Sequence, residues 1–126
     1  MIQLTQTAGA LFGVLAVVLG AFGAHALKKV FTPELQQSFE TGVRYQMYHA
    51  LLLILISITL SFETSIEKTV AYLIIIGTLL FSFSIYGLCL SSAFGKKWKW
   101  LGPITPLGGL LLTLGWTLLA FTFISN

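Results

Sequence analysis

With 126 residues, 56% of them apolar, a mean hydropathy of +0.92 and a net charge of +3, the chain has too few polar side chains to coat a water-soluble globule. Its length leaves little for a second domain, and so small a charge surplus gives no footing for nucleic acid, which is not expected as a partner.

The seven Lys and Arg and the four Glu fall in three short islands, at 28–44, 63–68 and 96–99. Four uncharged stretches remain, at 1–27, 45–62, 69–95 and 101–126. Each is long enough, at about 1.5 Å per helical residue, to cross a hydrocarbon core of roughly 30 Å. The expected fold is an all-α integral membrane protein, a single four-helix transmembrane domain over 1–126. Its spans lie near 5–27, 44–62, 69–94 and 106–124, with a short interfacial amphipathic helix between the first two. Lys28, Lys29, Arg44, Lys96, Lys97 and Lys99 fall in the loops after spans one and three, against Lys68 alone on the other side. The positive-inside rule then puts those two loops in the cytoplasm and both termini outside a cell (inner) membrane.

In span one, Gly9, Gly13, Ala16, Gly20 and Gly23 recur at a 4-3-4-3 spacing. This stacks small residues on one face and invites the close helix approach that drives association in lipid. No basic segment precedes the span, and its small residues run straight into Lys28 and Lys29. It reads as a retained span rather than a cleaved signal peptide. After it, Thr32 can cap a helix with Pro33 in its first turn and Glu34 at the positive end of the helix dipole. Leu35, Phe39 and Val43 recur on one side, and Gln36, Glu40 and Arg44 on another. That pattern predicts a segment lying on the membrane surface before the chain turns into span two near Gly42.

Span two opens with Tyr45, Gln46 and His49 on one side of the helix. Phenol, amide and imidazole in lipid must satisfy their hydrogen bonds within the protein, so they are expected to point inward. With His25 and Tyr86 they form a candidate polar cluster, in which His25 and His49 are expected to pair near the cytoplasmic interface. Two readings stay open: a structural clasp joining spans one and two, or a proton, quinone-headgroup or metal site. The metal reading has only His25, His49 and Glu40 as ligands on flexible spacing, so no metal or cofactor is assigned.

Span three must tilt or project, since its uncharged run exceeds the bilayer core. Gly77, Ser84 and Ser91, seven residues apart, form a small stripe expected to face that of span one. An offset of 68 aligns Gly9, Ala16 and Gly23 with Gly77, Ser84 and Ser91, but this hint of a repeated hairpin does not extend into spans two and four. The single Cys89 has no intramolecular disulfide partner. Lys96, Lys97, Trp98, Lys99 and Trp100 then mix basic and indole side chains, suiting an interfacial anchor; a headgroup site there would rest on the three lysines. Thr105 caps span four with Pro106 in its first turn, and Gly108 and Gly115 make another seven-spaced pair for helix packing. Trp116 falls roughly 15 Å beyond Pro106 by helical rise, too deep for an interfacial belt, so it reads as a packing residue whose N–H finds a hydroxyl or carbonyl.

Several separated segments resemble the domain of unknown function 423 family. They are Gly-Ala-Phe-Gly-Ala-His at 20–25, Thr41-Gly42-Val43-Arg44-Tyr45-Gln46-Met47-Tyr48-His49-Ala50, Phe81-Ser82 followed by Tyr86, and Pro103-Ile104-Thr105-Pro106-Leu107-Gly108-Gly109 followed by Trp116. The family consists of small bacterial membrane proteins related to eukaryotic transmembrane protein 256. The resemblance implies a compact four-helix membrane protein of similar length and brings no activity or catalytic residues with it. No nucleophile with an oriented base is implied by spacing either. The expected role is that of a non-enzymatic interaction or accessory protein, in contact with membrane lipids and associating with itself or a larger membrane complex. The alternative is a binder or carrier of a small lipid-soluble ligand, of lipid or quinone type, with the His and Tyr cluster as its polar end.

Overall fold

A computed structural model describes residues 1–125, and every regular element among them is helical. Helix α1 (Ile2–His25) ends in a 3-10 turn, Leu27–Lys29, and leads to α2 (Pro33–Thr59). Helices α3 (Ser65–Thr78) and α4 (Ser84–Ala93) are joined through a π-helical turn, Leu79–Phe83, into one rod, and α5 (Ile104–Ser125) follows a 3-10 turn at Lys99–Leu101. Three segments are long and apolar enough to cross a membrane: Ile2–Lys29, Ser65–Ala93 and Lys99–Ser125. Helix α2 is not among them, because Glu34, Gln36, Gln37, Glu40, Arg44, Gln46 and His49 crowd the part of it from 33 to 49.

The helices form two antiparallel hairpins, α1 on α2 and the α3–α4 rod on α5, and α2 joins them by packing along the rod. Glycines set the close contacts in both. In the first hairpin, a Cβ on Gly9 would sit 3.0 Å from the Ala50 carbonyl oxygen, and one on Gly23 would sit 2.8 Å from the Phe39 ring. Gly20 meets Val43 at 3.3 Å, while Gly13 has only the Ala50 methyl at 4.0 Å. In the second, Gly77 packs on Leu112 at 2.9 Å, Gly115 on Ile74 at 2.8 Å, and Gly108 lies against the backbone of Phe81 in the π turn.

Two expectations are corrected here. First, the small stripe of the third span does not meet that of the first. Gly77 faces α5, and the Ser84 hydroxyl lies 2.6 Å from that of Thr105, because the α1 stripe is already filled by α2. Second, no separate surface helix precedes span two, and the chain does not turn at Gly42. Residues 33–59 form one continuous helix, capped by Thr32, whose side chain accepts from the Leu35 N–H at 3.3 Å. The apolar side carrying Phe39 and Val43 is turned onto α1 rather than onto lipid. Gly42 is there for close approach: a Cβ would sit 2.8 Å from the Tyr86 ring, and its carbonyl accepts a 2.7 Å hydrogen bond from Ser82.

The other end of the bundle is closed by a tight α2–α3 link. Thr64 and Glu67 form a reciprocal capping box that starts α3, with Ser61 donating to the same carboxylate. Phe62 adopts a left-handed backbone (φ 57°), unusual for a bulky residue, and burying its ring in the apolar cluster with Leu53, Ile56 and Val70 offsets that cost.

Candidate functional site

Two joints inside the bundle are built on polar side chains of α2, while Thr5, Ser57, Thr78 and Thr122 bond only carbonyls three or four residues before them. The first is central. Gln46 of α2 is fully buried; its Nε2 donates to the Phe12 carbonyl of α1 at 2.8 Å, and its Oε1 accepts from the Tyr86 hydroxyl of α4 at 2.7 Å. One amide thus ties three helices, with each end matched to the opposite hydrogen-bonding role. The Tyr86 ring packs on Phe39 and Phe83, with centroids 5.0 and 5.5 Å away. One turn along, Ser82 ties the π turn to Gly42. On the turn's other side Ser84 donates to the Phe81 carbonyl at 3.0 Å and meets Thr105. The π turn departs from the i→i−4 ladder, and these hydroxyls serve the backbone around it.

The second joint is at the edge of the bundle. His49 Nδ1 lies 2.6 Å from the Tyr45 carbonyl, and Trp116 Nε1 donates to His49 Nε2 at 3.2 Å. An indole N–H only donates, so Nε2 is the acceptor and the geometry assigns the ring proton to Nδ1. The imidazole is buried, but both aromatic neighbours reach the surface: Tyr45 is 43% exposed and Trp116 48%. Between them lies a cleft of about 300 Å³, with Phe81 and Thr113 in its wall.

The expected cluster of five therefore divides. Gln46 and Tyr86 are bonded to each other; Tyr45 and His49 stand at the edge joint, ring centroids 6.3 Å apart. His25 belongs to neither, and the expected His25–His49 pair does not form. The Gly23 carbonyl accepts from Gln36 Nε2 at 3.1 Å, which sets the exposed His25 level with the start of α2. His49 is thirteen residues further along that helix, about 20 Å by helical rise.

Sequence reasoning missed several partners. Trp116 was legible as an indole needing an acceptor, but nothing in the spacing identified an imidazole 67 positions away. Ser82 stood only inside a motif string, Thr105 was expected to cap span four but lies inside α5 with its hydroxyl on Ser84, and Gly42 and Gly87 were not assigned to packing, although a Cβ on Gly87 would strike Leu101. Among the described residues, no group of three or more His, Cys, Asp or Glu is placed to hold a metal ion.

The basic end of the bundle gathers Lys28 and Lys29 with Lys96, Lys97 and Lys99, all exposed, and Trp98 and Trp100 are 50% and 66% exposed beside them. Gly95, at φ 82°, reverses the chain there in the left-handed conformation favoured at helix ends, and Ser91 holds the loop by accepting from the Trp98 N–H at 3.1 Å.

Residues 19–109 match the model of a family described as protein of unknown function DUF423. That range contains Gln46, His49, Ser82, Tyr86 and the basic loop. A protein of Schizosaccharomyces pombe called UPF0382 membrane protein C1782.12c is 42% identical over 108 residues, covering 85% of this chain and 90% of its own. UPF0382 membrane protein YwdK of Bacillus subtilis is 38% identical over 113 residues, with 88% of each chain covered. A UPF0382 membrane protein of Haemophilus influenzae is 33% identical over 112 residues, covering 89% of this chain and 86% of its own. No solved structure matches the chain. Its matched residues, its helices fit to cross a bilayer and its relatives agree: the chain belongs to the DUF423 family of membrane proteins.

Proposed function

We propose that the chain is a four-span bundle of the cell (inner) membrane, with both termini outside the cytoplasm, acting as a non-enzymatic accessory protein that works by contact with other membrane components. The fourth span is α2. It runs antiparallel to α1 from the Gly23–Phe39 contact to the Gly9–Ala50 contact, so it shares the depth of a helix apolar enough to cross the bilayer. Its charged first turns sit at the basic end, and the six-to-one distribution of Lys and Arg favours that end as cytoplasmic. An active C-terminal alkaline phosphatase fusion and a dark C-terminal fluorescent protein are expected; the reverse pair would overturn the orientation.

The observation that carries the accessory reading is the direction of the interior hydrogen bonds. Gln46, Tyr86 and Ser82 spend their polar atoms on neighbouring helices, and His49 divides its nitrogens between its own helix and α5, which makes them fasteners rather than groups aimed at a reactant. The glycine faces are also occupied within the protomer, so self-association or docking onto a larger complex would use the apolar outer faces of α1 and α5. Photo-crosslinkers on Val17 and Phe121, both more than half exposed, are expected to capture a second copy or another membrane protein in whole cells. Labelling of lipid alone at both positions would sink the reading.

A second reading, a binder of a small lipid-soluble ligand, is favoured by one observation: the cleft beside Tyr45, His49 and Trp116 opens between two aromatic rings at the surface. It would place the ligand's polar end at the edge joint and leave the central joint structural.

A further inference from the structure

A different groove runs along the basic end, between the first turns of α2 and the end of α4, with a volume of about 430 Å³. Leu35, Ile85 and Leu88 line it, and Ser38, Ser92 and Lys97 supply its polar groups. Thr41, also in the wall, spends its hydroxyl on the Gln37 carbonyl at 3.0 Å, whereas Ser38 and Ser92 make no such bond among the described residues. None of the four glutamates shares the groove with Lys97. A cation and two hydroxyls thus stand open beside apolar side chains.

Their order along the groove matters. Helix α4 runs toward the basic loop, so Ser92 and Lys97 lie at the end where Trp98 and Trp100 are exposed, in the layer suited to headgroups. Ile85 lies seven residues earlier on the same helix, about 10 Å deeper by helical rise. The hydroxyls of Thr41 and Thr105, which also line the groove, are already bonded to the Gln37 carbonyl and to Ser84, so its positive charge lies toward the interface and its deeper wall offers apolar surface, the gradient of an amphiphile with a negative head.

We propose that this groove is a binding site for one anionic glycerophospholipid, with its phosphate at Lys97, Ser92 and Ser38 and the first methylenes of an acyl chain against Ile85 and Leu88. Charge favours a lipid over a protein segment: five lysines gather at this end, against Glu34 and Glu40. The groove is also separate from the cleft beside His49, so the two sites can fail independently.

The test is native mass spectrometry of the full chain in mild detergent with equal amounts of phosphatidylglycerol and phosphatidylcholine. One retained phosphatidylglycerol per chain is expected, in preference to phosphatidylcholine. Lys97→Gln should weaken retention about five-fold, the effect of one lysine near an anionic headgroup. Lys29→Gln, at the same end but outside the groove, should leave it unchanged. Leu88→Trp, which fills the deeper part, should abolish it at unchanged thermal stability. Should that variant misfold, Ser92→Leu, which removes a hydroxyl at the rim, serves in its place and should also reduce retention. Equal retention of the two lipids overturns the proposal. So does an equal loss in Lys29→Gln and Lys97→Gln, which would mark a diffuse surface attraction, or a dimer that dissociates when the groove is filled, which would make a second copy the occupant.

Discussion

The central joint, Gln46 with Phe12 and Tyr86, and the edge joint, His49 with Tyr45 and Trp116, use the same device of a polar side chain of α2 bonded to another helix. They differ in their surroundings. Gln46 is fully shielded and Tyr86 is 5% exposed, whereas the edge joint borders a cleft and ends on a half-exposed indole. A sealed joint has no alternative partner when one member is lost, and the full desolvation cost appears as instability. An open joint can exchange its partner for a lipid or a ligand. Depth in the bundle, rather than residue chemistry, therefore sets how much stability each fastener should carry.

The sharpest way to break the comparison is Gln46→Leu. It removes both bonds and strands the Tyr86 hydroxyl among Phe39 and Phe83, and about 1 to 3 kcal/mol of stability should be lost. Thermal unfolding in mild detergent reads the loss; an unchanged midpoint would show that the centre is no more demanding than the edge. Tyr86→Phe comes next at about 1 kcal/mol, since it removes a donor and leaves the Gln46 oxygen unpaired. In the double variant Gln46→Leu/Tyr86→Phe the two losses should fall short of additive, because the second change removes the group that the first had stranded. Strict additivity would mean that the 2.7 Å contact carries no coupling.

The edge joint should respond less. His49→Leu removes one interhelical hydrogen bond, and such bonds in membrane bundles contribute about 0.6 kcal/mol on average. His49→Gln keeps a donor and an acceptor and should lose less still. If the two variants are equally stable and equally lose a co-purifying small molecule, the edge joint is a binding site and the ligand reading gains over the accessory one.

What the sequence made legible follows from which signals are local. The exclusion of charge from long runs is a property of consecutive residues, so the helices at 2–25, 65–93 and 104–125 were readable. Helix α2 was readable only in part, because its first turns lie inside a charged island and resemble a surface segment. The misreading at Gly42 has a clear source. Glycine marks a turn and a close helix approach with the same letter, and only the Tyr86 ring against it decides between them. The glycine stripes were visible, but which helix fills each one was not, since α1 and the α3–α4 rod offer similar faces and hairpin pairing gave each to its following neighbour. For the polar cluster, chemistry was legible and partnership was not. Gln46 had to find a donor and an acceptor, yet the residues that supply them lie 34 and 40 positions away, beyond any helical periodicity.

The smallest expected effect is that of Trp116→Phe, and it tests the comparison at its weakest point. The substitution keeps an aromatic ring near the imidazole, whose centroid lies 6.3 Å from the indole at a steep angle, and deletes the N–H that reaches His49 Nε2 along with part of the half-exposed ring system. A 3.2 Å bond to a half-exposed donor is longer than either Gln46 bond, and Nε2 borders a cleft where another donor can reach it. The loss should be about 0.5 kcal/mol, below that of Tyr86→Phe, although both substitutions delete a single donor from an aromatic side chain. Measured side by side under one detergent condition, the pair compares a sealed donor with an open one, and the ring atoms lost with Trp116 can only narrow the gap. If the two variants lose equal stability, His49 and Trp116 are as sealed as Gln46 and Tyr86, and the cleft is no route for a ligand.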